Sequence, residues 1–377
     1  MSFKFTRYTG RQLKFYARRA IWIFISWVTI SNIMFFYDYY TLYANKVLTS
    51  AYDFKQAFVA NLIVCVMAGL IGGIITVNLM EQWLRKYVFP RALLQIIVAY
   101  TVAALVISFA GALYYYSEEL GVSILNYEVL EQIGPFFTEW IFIKNFFLWL
   151  IIVVVTLIIL MVNDKYGPGV FPDYLMGRYF RPKQERRIFM FADIKNATSI
   201  AEILEEEKYF NFLKDFFRDI APAIVQTRGE VYQYVGDEVV ISWKMKQGLK
   251  SGNAIQCYYS MRKIINQKKQ RYIDRYGFYP KFKVGYHYGN VMVGEIGQIK
   301  REIVFSGDVL NTASRIQALC NELEVGILAS KEFADLQIKL PSGVKRIDLG
   351  TEKLRGKADE MKLVTYQRNT KREGTTL

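Results

Sequence analysis

Four stretches nearly free of charge, at 20–36, 56–80, 92–117 and 140–163, set the first limit on how this chain can fold. Each is long enough as a helix, at about 1.5 Å per residue, to cross a hydrocarbon core roughly 30 Å thick. Soluble helices of that length carry a polar face, and these do not. The first stretch is the shortest, and Tyr37, Tyr39 and Tyr40 follow it around Asp38 as an interface belt. Lys144, near the start of the fourth, is the one charge close to hydrocarbon, and its long stem suits snorkelling to the interface. No carboxylate or histidine relay runs through the spans, which argues against a pump or channel. Gly69, Gly72 and Gly73 would let two helices approach closely.

The loops orient this bundle. Residues 1–19 hold Lys4, Arg7, Arg11, Lys14, Arg18 and Arg19 and no acid. The loop after the second span holds Arg85, Lys86 and Arg91, with Glu81 as its acid. The loop before the fourth span holds Glu118, Glu119, Glu128 and Glu131. Basic loops stay in the cytoplasm, so both termini are expected there, at the plasma membrane. No small-residue cleavage signal follows the first span, so a cleaved leader is not expected. The net charge of +14 suits this orientation and anionic lipid. No zinc-finger spacing or basic-aromatic platform points to nucleic acid. Cys65, Cys257 and Cys320 are too scattered for a disulfide scaffold, and His287, the single histidine, excludes a multi-histidine metal cluster.

Composition changes after residue 163. Segment 164–187 is a linker, broken by Gly167, Pro168, Gly169, Pro172, Gly177 and Pro182 and carrying a basic patch from Arg178 to Arg187. A folded domain is expected over 188–370, then a polar tail over 371–377. The apolar run 188–192 predicts a strand ending at Asp193. Helical periodicity follows over 198–225. Gly236-Asp237 separates two strand-like runs, 230–235 and 238–243, as a hairpin turn. A helix is expected over 253–271, a strand over 281–287, then a glycine-rich segment with Gly289, Gly294 and Gly297. A strand over 301–305, a helix over 308–320, a short strand over 325–328 and a final strand pair within 344–367 complete the pattern. Hairpins mixed with helices indicate an α+β sandwich rather than a doubly wound sheet.

Asp193 closes one strand and Asp237 sits at a hairpin tip. If those strands are neighbours, both carboxylates leave the same sheet edge. Two carboxylates with few nitrogen or sulfur ligands nearby suit a hard cation such as Mg²⁺ or Mn²⁺. Glu238 is expected to turn to the opposite face from Asp237 and to be no ligand.

A larger pattern gives this pair its meaning. The blocks 190–198 (MFADIKNAT), 233–241 (QYVGDEVVI), 283–297 (KVGYHYGNVMVGEIG), 307–315 (GDVLNTASR) and 355–357 (RGK) occur in order. Together they resemble the catalytic domain of class III adenylate and guanylate cyclases, over roughly residues 186–370. The resemblance implies an α-helical transmembrane bundle of four spans followed by a cytoplasmic α+β sandwich of the class III nucleotidyl cyclase type. It implies that Asp193 and Asp237 hold two Mg²⁺ or Mn²⁺ per active site, with the carbonyl of Ile194 as a further ligand. Backbone N–H groups of Ile194, Lys195, Asn196, Ala197 and Thr198 would hold phosphates at a helix start. Asn311 would orient the ribose and Arg315 would meet charge on the α-phosphate. Lys357 would hold the terminal phosphates, joined by Lys300 or Arg301. The family's site forms between two catalytic domains, so a homodimer is implied, with a monomer inactive.

The pattern departs at the base. Where adenylate cyclases of the family place a Lys and guanylate cyclases a Glu, this chain has Gln233, and the second base-reading position is Val304. Gln can donate to or accept from either purine, which leaves GTP open, and ATP is the expected substrate. Asn196-Ala197 replaces the family's usual Gly-Phe. A diguanylate cyclase would need a Gly-Gly-Asp/Glu-Glu-Phe turn, which 235–239 lacks. A membrane receptor with an inactive cyclase module is the non-enzyme alternative. Any stimulus would act through the bundle or through a partner.

Overall fold

The computed structural model describes residues 10–48, 52–82, 89–166, 176–299, 301–337, 339–356 and 360–368. The chain divides into two compact units, Met1–Lys165 and Tyr166–Leu377.

The first unit is helical: α1 (Gly10–Ala44), α2 (Phe54–Gln82), α3 (Phe89–Leu120), α4 (Tyr127–Phe136) and α5 (Trp140–Tyr166). Among the described residues, four of these helices contain spans long and apolar enough to cross a membrane: Ala17–Ala44, Phe54–Thr76, Leu94–Leu120 and Phe142–Asn163. The chain is therefore a multi-pass membrane protein, and its basic loops place the second unit in the cytoplasm. The glycines of α2 seat α1. A Cβ on Gly72 would stand 2.1 Å from the Trp27 ring, and one on Gly73 would stand 2.9 Å from the carbonyl oxygen of Ala20. Trp27 in turn donates to Thr156 Oγ1 at 3.0 Å, which ties α1 to α5.

Two features of this unit depart from expectation. Lys144 does not end alone at the interface: its Nζ lies 2.6 Å from Asp38 Oδ1, joining α5 to α1. The acidic loop before α5 contains α4, started by Asn126, whose side chain accepts from the Glu128 N–H, and held by buried Val129 and Ile133.

Among the described residues the second unit is built on an eight-stranded sheet in the order β2-β3-β1-β4-β6-β8-β7, with β5 paired to β4. The strands are β1 (Lys183–Ile194), β2 (Glu230–Val235), β3 (Glu238–Lys244), β4 (Phe282–Ile296), β5 (Glu302–Ser306), β6 (Ile327–Ser330), β7 (Val344–Lys353) and β8 (Glu360–Arg368). Pairing is antiparallel except for β4 with β6. Alternation along β1 divides its side chains between two cores. Ile188, Met190, Ala192 and Ile194 join the larger core, with Phe212, Phe216 and Ile220 from the Ala197–Gln226 helix. Phe189 and Phe191 join the smaller core, with Val309 and Ala313 from the Asp308–Leu319 helix.

Two helices are broken where periodicity predicts continuity. The Ala197–Gln226 helix kinks at Glu205, whose φ is 60° and ψ 167°. The expected 253–271 helix divides into Asn253–Gln267 and Lys269–Tyr276, because Lys268 leaves helical geometry. Lys268 then reaches Asp219, which also accepts from Arg271 and from the Tyr272 hydroxyl, while Asp215 accepts from Arg275 and the Tyr276 hydroxyl. β4 also runs through the glycine-rich segment rather than stopping at residue 287.

Candidate active site

The centre of the site follows from strand register. β1 lies between β3 and β4, and Asp193 stands opposite Glu238 on one side and Lys283 on the other. Residues directly opposite each other share a face, so these three side chains stand in a row. Glu238 therefore does not turn away from the candidate metal residues, as its place beside Asp237 suggests. The hairpin turn inserts Gly236, with φ of 59°, and Asp237 between paired strands, so it is register with β1 that decides where Glu238 points.

The second neighbour arrives from a helix. Gly285 on β4 has no side chain, and the Asp308–Leu319 helix rests directly on it: a Cβ there would lie 2.3 Å from the Gln317 nitrogen and 2.6 Å from the Ala313 oxygen. That contact brings Gln317 Nε2 to 2.9 Å from Asp193 Oδ2. Lys283 Nζ stands 3.3 Å from the same oxygen. Both Gln317 and Lys283 are buried.

Asp237 comes to Asp193 from the β2–β3 turn and shares a hydrogen bond with it. Burial first, then that hydrogen bond and the negative charge of Asp193, push the Asp237 carboxyl up to about 6, with Lys283 opposing. Burial also pushes Glu238 up to about 7, with the charges of Asp193 and Asp237 adding to it. Three carboxylates thus crowd one lysine. Divalent cations would relieve that repulsion, and the donors are the oxygens that Mg²⁺ and Mn²⁺ prefer, so the residues fit the implied ions. Among the described residues no group of three or more His, Cys, Asp or Glu side chains forms a ready cage. Asp193 and Asp237 would hold cations whose remaining ligands come from backbone, water or substrate oxygens.

The segment after Asp193 only partly matches its expected role. The Ile194 side chain is buried in the larger core, which leaves its carbonyl as the group able to ligate. The Lys195 N–H donates to the Lys281 carbonyl at 2.8 Å and is not available to a phosphate. The Lys195 side chain lines a cleft of about 390 Å³ with Arg262, Lys281 and Phe282, on the larger core's side. Asn196 takes a left-handed conformation, φ 58°, and starts the Ala197–Gln226 helix with no side-chain cap. Ala197 and Thr198 thus open an uncapped helix, whose first N–H groups are suited to an anion.

Asn311 and Arg315 share the Asp308–Leu319 helix with Gln317. Side chains two positions apart on a helix do not face each other, so the helix that offers Gln317 to Asp193 carries Arg315 on another side. The Arg315 guanidinium lies by Gly356, where a Cβ would be 3.4 Å from Nη2. Packing therefore joins Arg315 to the 355–357 block, although Lys357 itself, like Lys300, lies outside the described residues. Arg301 is exposed, with Nη1 3.8 Å from Glu295 Oε1. Gln233 is exposed just after a bulge in β2, and Val304 on β5 stands opposite Gly294. Their neighbours meet: the Phe305 N–H donates to the Tyr232 hydroxyl at 3.3 Å, with ring centroids 4.9 Å apart.

Sequence reasoning missed Lys283, Gln317 and the face of Glu238. Lys283 left only a weak trace, since it shares with Lys281 the charged positions that alternate with Phe282 and Val284 before Gly285. Gln317 left none, since its role depends on how closely its helix sits on β4.

Comparison with known proteins places this geometry. The family described as Adenylate and Guanylate cyclase catalytic domain matches residues 181–367. Adenylate cyclase 2 of Rhizobium meliloti (strain 1021) is 30% identical over 207 residues, covering 55% of this chain and 57% of that protein. Adenylate cyclase of Anabaena cylindrica is 28% identical over 155 residues, covering 39% of this chain and 30% of that protein. The adenylyl cyclase CyaB from P. aeruginosa superposes with a TM-score of 0.45 at 20% identity, over 52% of this chain and 100% of that one.

Proposed function

Through residues 181–367 the chain belongs to the class III adenylate and guanylate cyclases, and we propose that it is a membrane-anchored adenylate cyclase working as a homodimer. The reaction converts ATP to 3′,5′-cyclic AMP and pyrophosphate. The ribose 3′-oxygen bonds to the α-phosphorus as the bond from that phosphorus to the bridging oxygen breaks. Pyrophosphate leaves, and the hydroxyl proton is released. When bound, two Mg²⁺ or Mn²⁺ supply the Lewis acidity that activates the hydroxyl and offsets the triphosphate charge.

Asp193 and Asp237 hold the ions, with the Ile194 carbonyl as a further donor. Gln317 and Lys283 keep Asp193 in place. The uncapped helix start at Ala197 and Thr198 receives phosphate oxygens. Asn311 orients the ribose, Arg315 meets charge developing on the α-phosphate, and Lys357, with Lys300 or Arg301, holds the leaving pyrophosphate.

One observation carries the shared-site part of this reading. The Asp308–Leu319 helix spends its Gln317 side on the Asp193 of its own chain. Arg315 and Asn311 are then left to act in the site of a second copy. The preference for ATP is supported by the names of the curated relatives above, both adenylate cyclases. Gln233 and Val304 provide no charge to read the base, so discrimination against GTP is modest.

The test uses purified full-length protein with Mg²⁺ or Mn²⁺, given ATP and GTP separately, with cyclic products quantified. Cyclic AMP in excess is expected, and no cyclic product from either nucleotide would defeat the enzyme assignment. Mixing an Asp193→Ala chain with an Arg315→Ala chain should restore activity that neither has alone. A mixture as inactive as its parts would overturn the shared site.

A further inference from the structure

The membrane unit contains a cavity that the cyclase chemistry does not use. It measures about 200 Å³ and lies among α1, α2, α3 and α5. Phe142, Phe146 and Trp149 give it an aromatic wall, while Ser31, Ser108 and Asn145 add hydroxyl and amide groups. Asp38 also lines it, paired with Lys144 at 2.6 Å. Lys144 is near the start of α5, at the end away from the cytoplasm.

The polar groups identify what would fill this space. Elsewhere in the bundle Asn32, Thr76 and Thr156 each donate to a carbonyl four residues earlier, at 2.7, 2.6 and 2.7 Å. Ser31, Ser108 and Asn145 make no side-chain hydrogen bond to another described residue. Ser31 and Ser108 are half-buried and Asn145 is exposed. A half-buried hydroxyl left unpaired in a low-dielectric bundle is costly, so the two serines favour an occupant with its own donor or acceptor. An alkyl chain would leave them unpaired. Water alone would pair them but wet the aromatic wall. Charge is also decided, because Lys144 already neutralises Asp38, and an ionic occupant would find no free counter-charge. Size sets the last limit: a cavity of about 150 Å³ accepts benzene, so this one has room for a single ring with a polar substituent.

We propose that this cavity is a binding site for a small uncharged amphiphile, a one-ring body carrying a hydroxyl or amide. The inference stands apart from the cyclase assignment, because it rests on the membrane unit alone.

Cys65 provides the assay. It lines the cavity, is 2% exposed, and is the one cysteine before residue 165. Cys257 and Cys320 are buried in the other unit and lie in different peptides, so the readout at Cys65 is separate from theirs. Full-length protein in lipid nanodiscs would be alkylated with N-ethylmaleimide, and the rate at Cys65 read by peptide mass spectrometry. Three matched probes would be titrated: benzyl alcohol, toluene and benzoate. Saturable protection by benzyl alcohol, about fivefold or more, is expected, with toluene weaker and benzoate without effect. Ala104→Phe fills the cavity and should abolish the protection, which separates binding from a general effect on the bilayer. Ser108→Ala keeps the volume and should reduce the preference for the alcohol over toluene, should the larger replacement not fold. Toluene protecting as well as the alcohol would mean a purely apolar void. Benzoate protecting as well would mean a water-filled polar site. Either result, or no saturable protection from any probe, overturns the proposal.

Discussion

Replacing Gly285 with alanine tests how closely the Asp308–Leu319 helix must sit on the sheet. The added methyl would meet the Gln317 nitrogen at 2.3 Å, the Ala313 oxygen at 2.6 Å and the Gln317 Cα at 2.6 Å. All three are backbone atoms, so no side-chain rotation can make room. Restoring ordinary contact needs a shift of roughly 1 Å outward. The Gln317–Asp193 hydrogen bond, 2.9 Å at present, would then lengthen beyond bonding range. Arg315 and Asn311 would move with the same helix. A misplacement of about 1 Å can cost roughly 100-fold in rate, and overpacking costs about 1–3 kcal/mol of stability. Gly289→Ala is the control. Its methyl would meet only the Val309 side chain, at 3.3 Å, which can yield by a few tenths of an ångström. Initial rates of cyclic nucleotide formation and urea unfolding would be measured for both. The expectation is a roughly 100-fold loss for Gly285→Ala and less than about threefold for Gly289→Ala. Equal rates for the two variants would refute the idea that helix height controls the site.

Other consequences follow from the same contacts. Gln317→Leu removes a partner of Asp193 without removing a proposed ligand, so the Mn²⁺ concentration for half-maximal activity should rise about tenfold or more, with kcat largely kept at saturation; a change in kcat alone would assign Gln317 another role. Asp219→Ala leaves the buried Tyr272 hydroxyl and the partly exposed Lys268 and Arg271 without their shared acceptor and should cost about 1–3 kcal/mol in urea unfolding; a loss below about 1 kcal/mol would place that cluster among weak surface pairs. In EDTA the pH dependence has a definite sign. Asp237 and Glu238 are raised in the folded chain, from 3.8 to about 6 and from 4.5 to about 7, so the folded state keeps protons that the unfolded chain releases. Their contribution is present below about pH 4 and is lost as pH rises through about 6–7. Thermal midpoints of wild type and an Asp237→Asn/Glu238→Gln variant should therefore diverge over that window, with the variant the more stable at pH 8. Parallel curves would remove the carboxylate crowding from the account.

Much of the fold could be read from local sequence because the forces involved are local. Whether a segment dissolves in a bilayer depends on the side chains it carries, so the four spans and their cytoplasmic loops followed from composition and order. The strand ending at Asp193 and the hairpin carrying Asp237 were likewise legible, because alternation and a Gly-Asp turn are short-range signals. Contacts set by register and packing were not. Glu238 faces Asp193 because of how β3 pairs with β1, a relation between residues far apart in the chain. Gln317 and Lys283 converge on one carboxylate oxygen only after the helix settles on Gly285. Lys268 breaks a helix that periodicity would continue, and the buried Asp219 it reaches lies in another helix. Lys144 finds Asp38 across the bundle instead of ending alone at the interface. The sequence by itself determined which segments enter the membrane, that Asp193 closes a strand and that Asp237 sits in a hairpin turn. Only the tertiary structure decided what surrounds those carboxylates, because a one-residue change in register or about 1 Å of helix height would give Asp193 different neighbours.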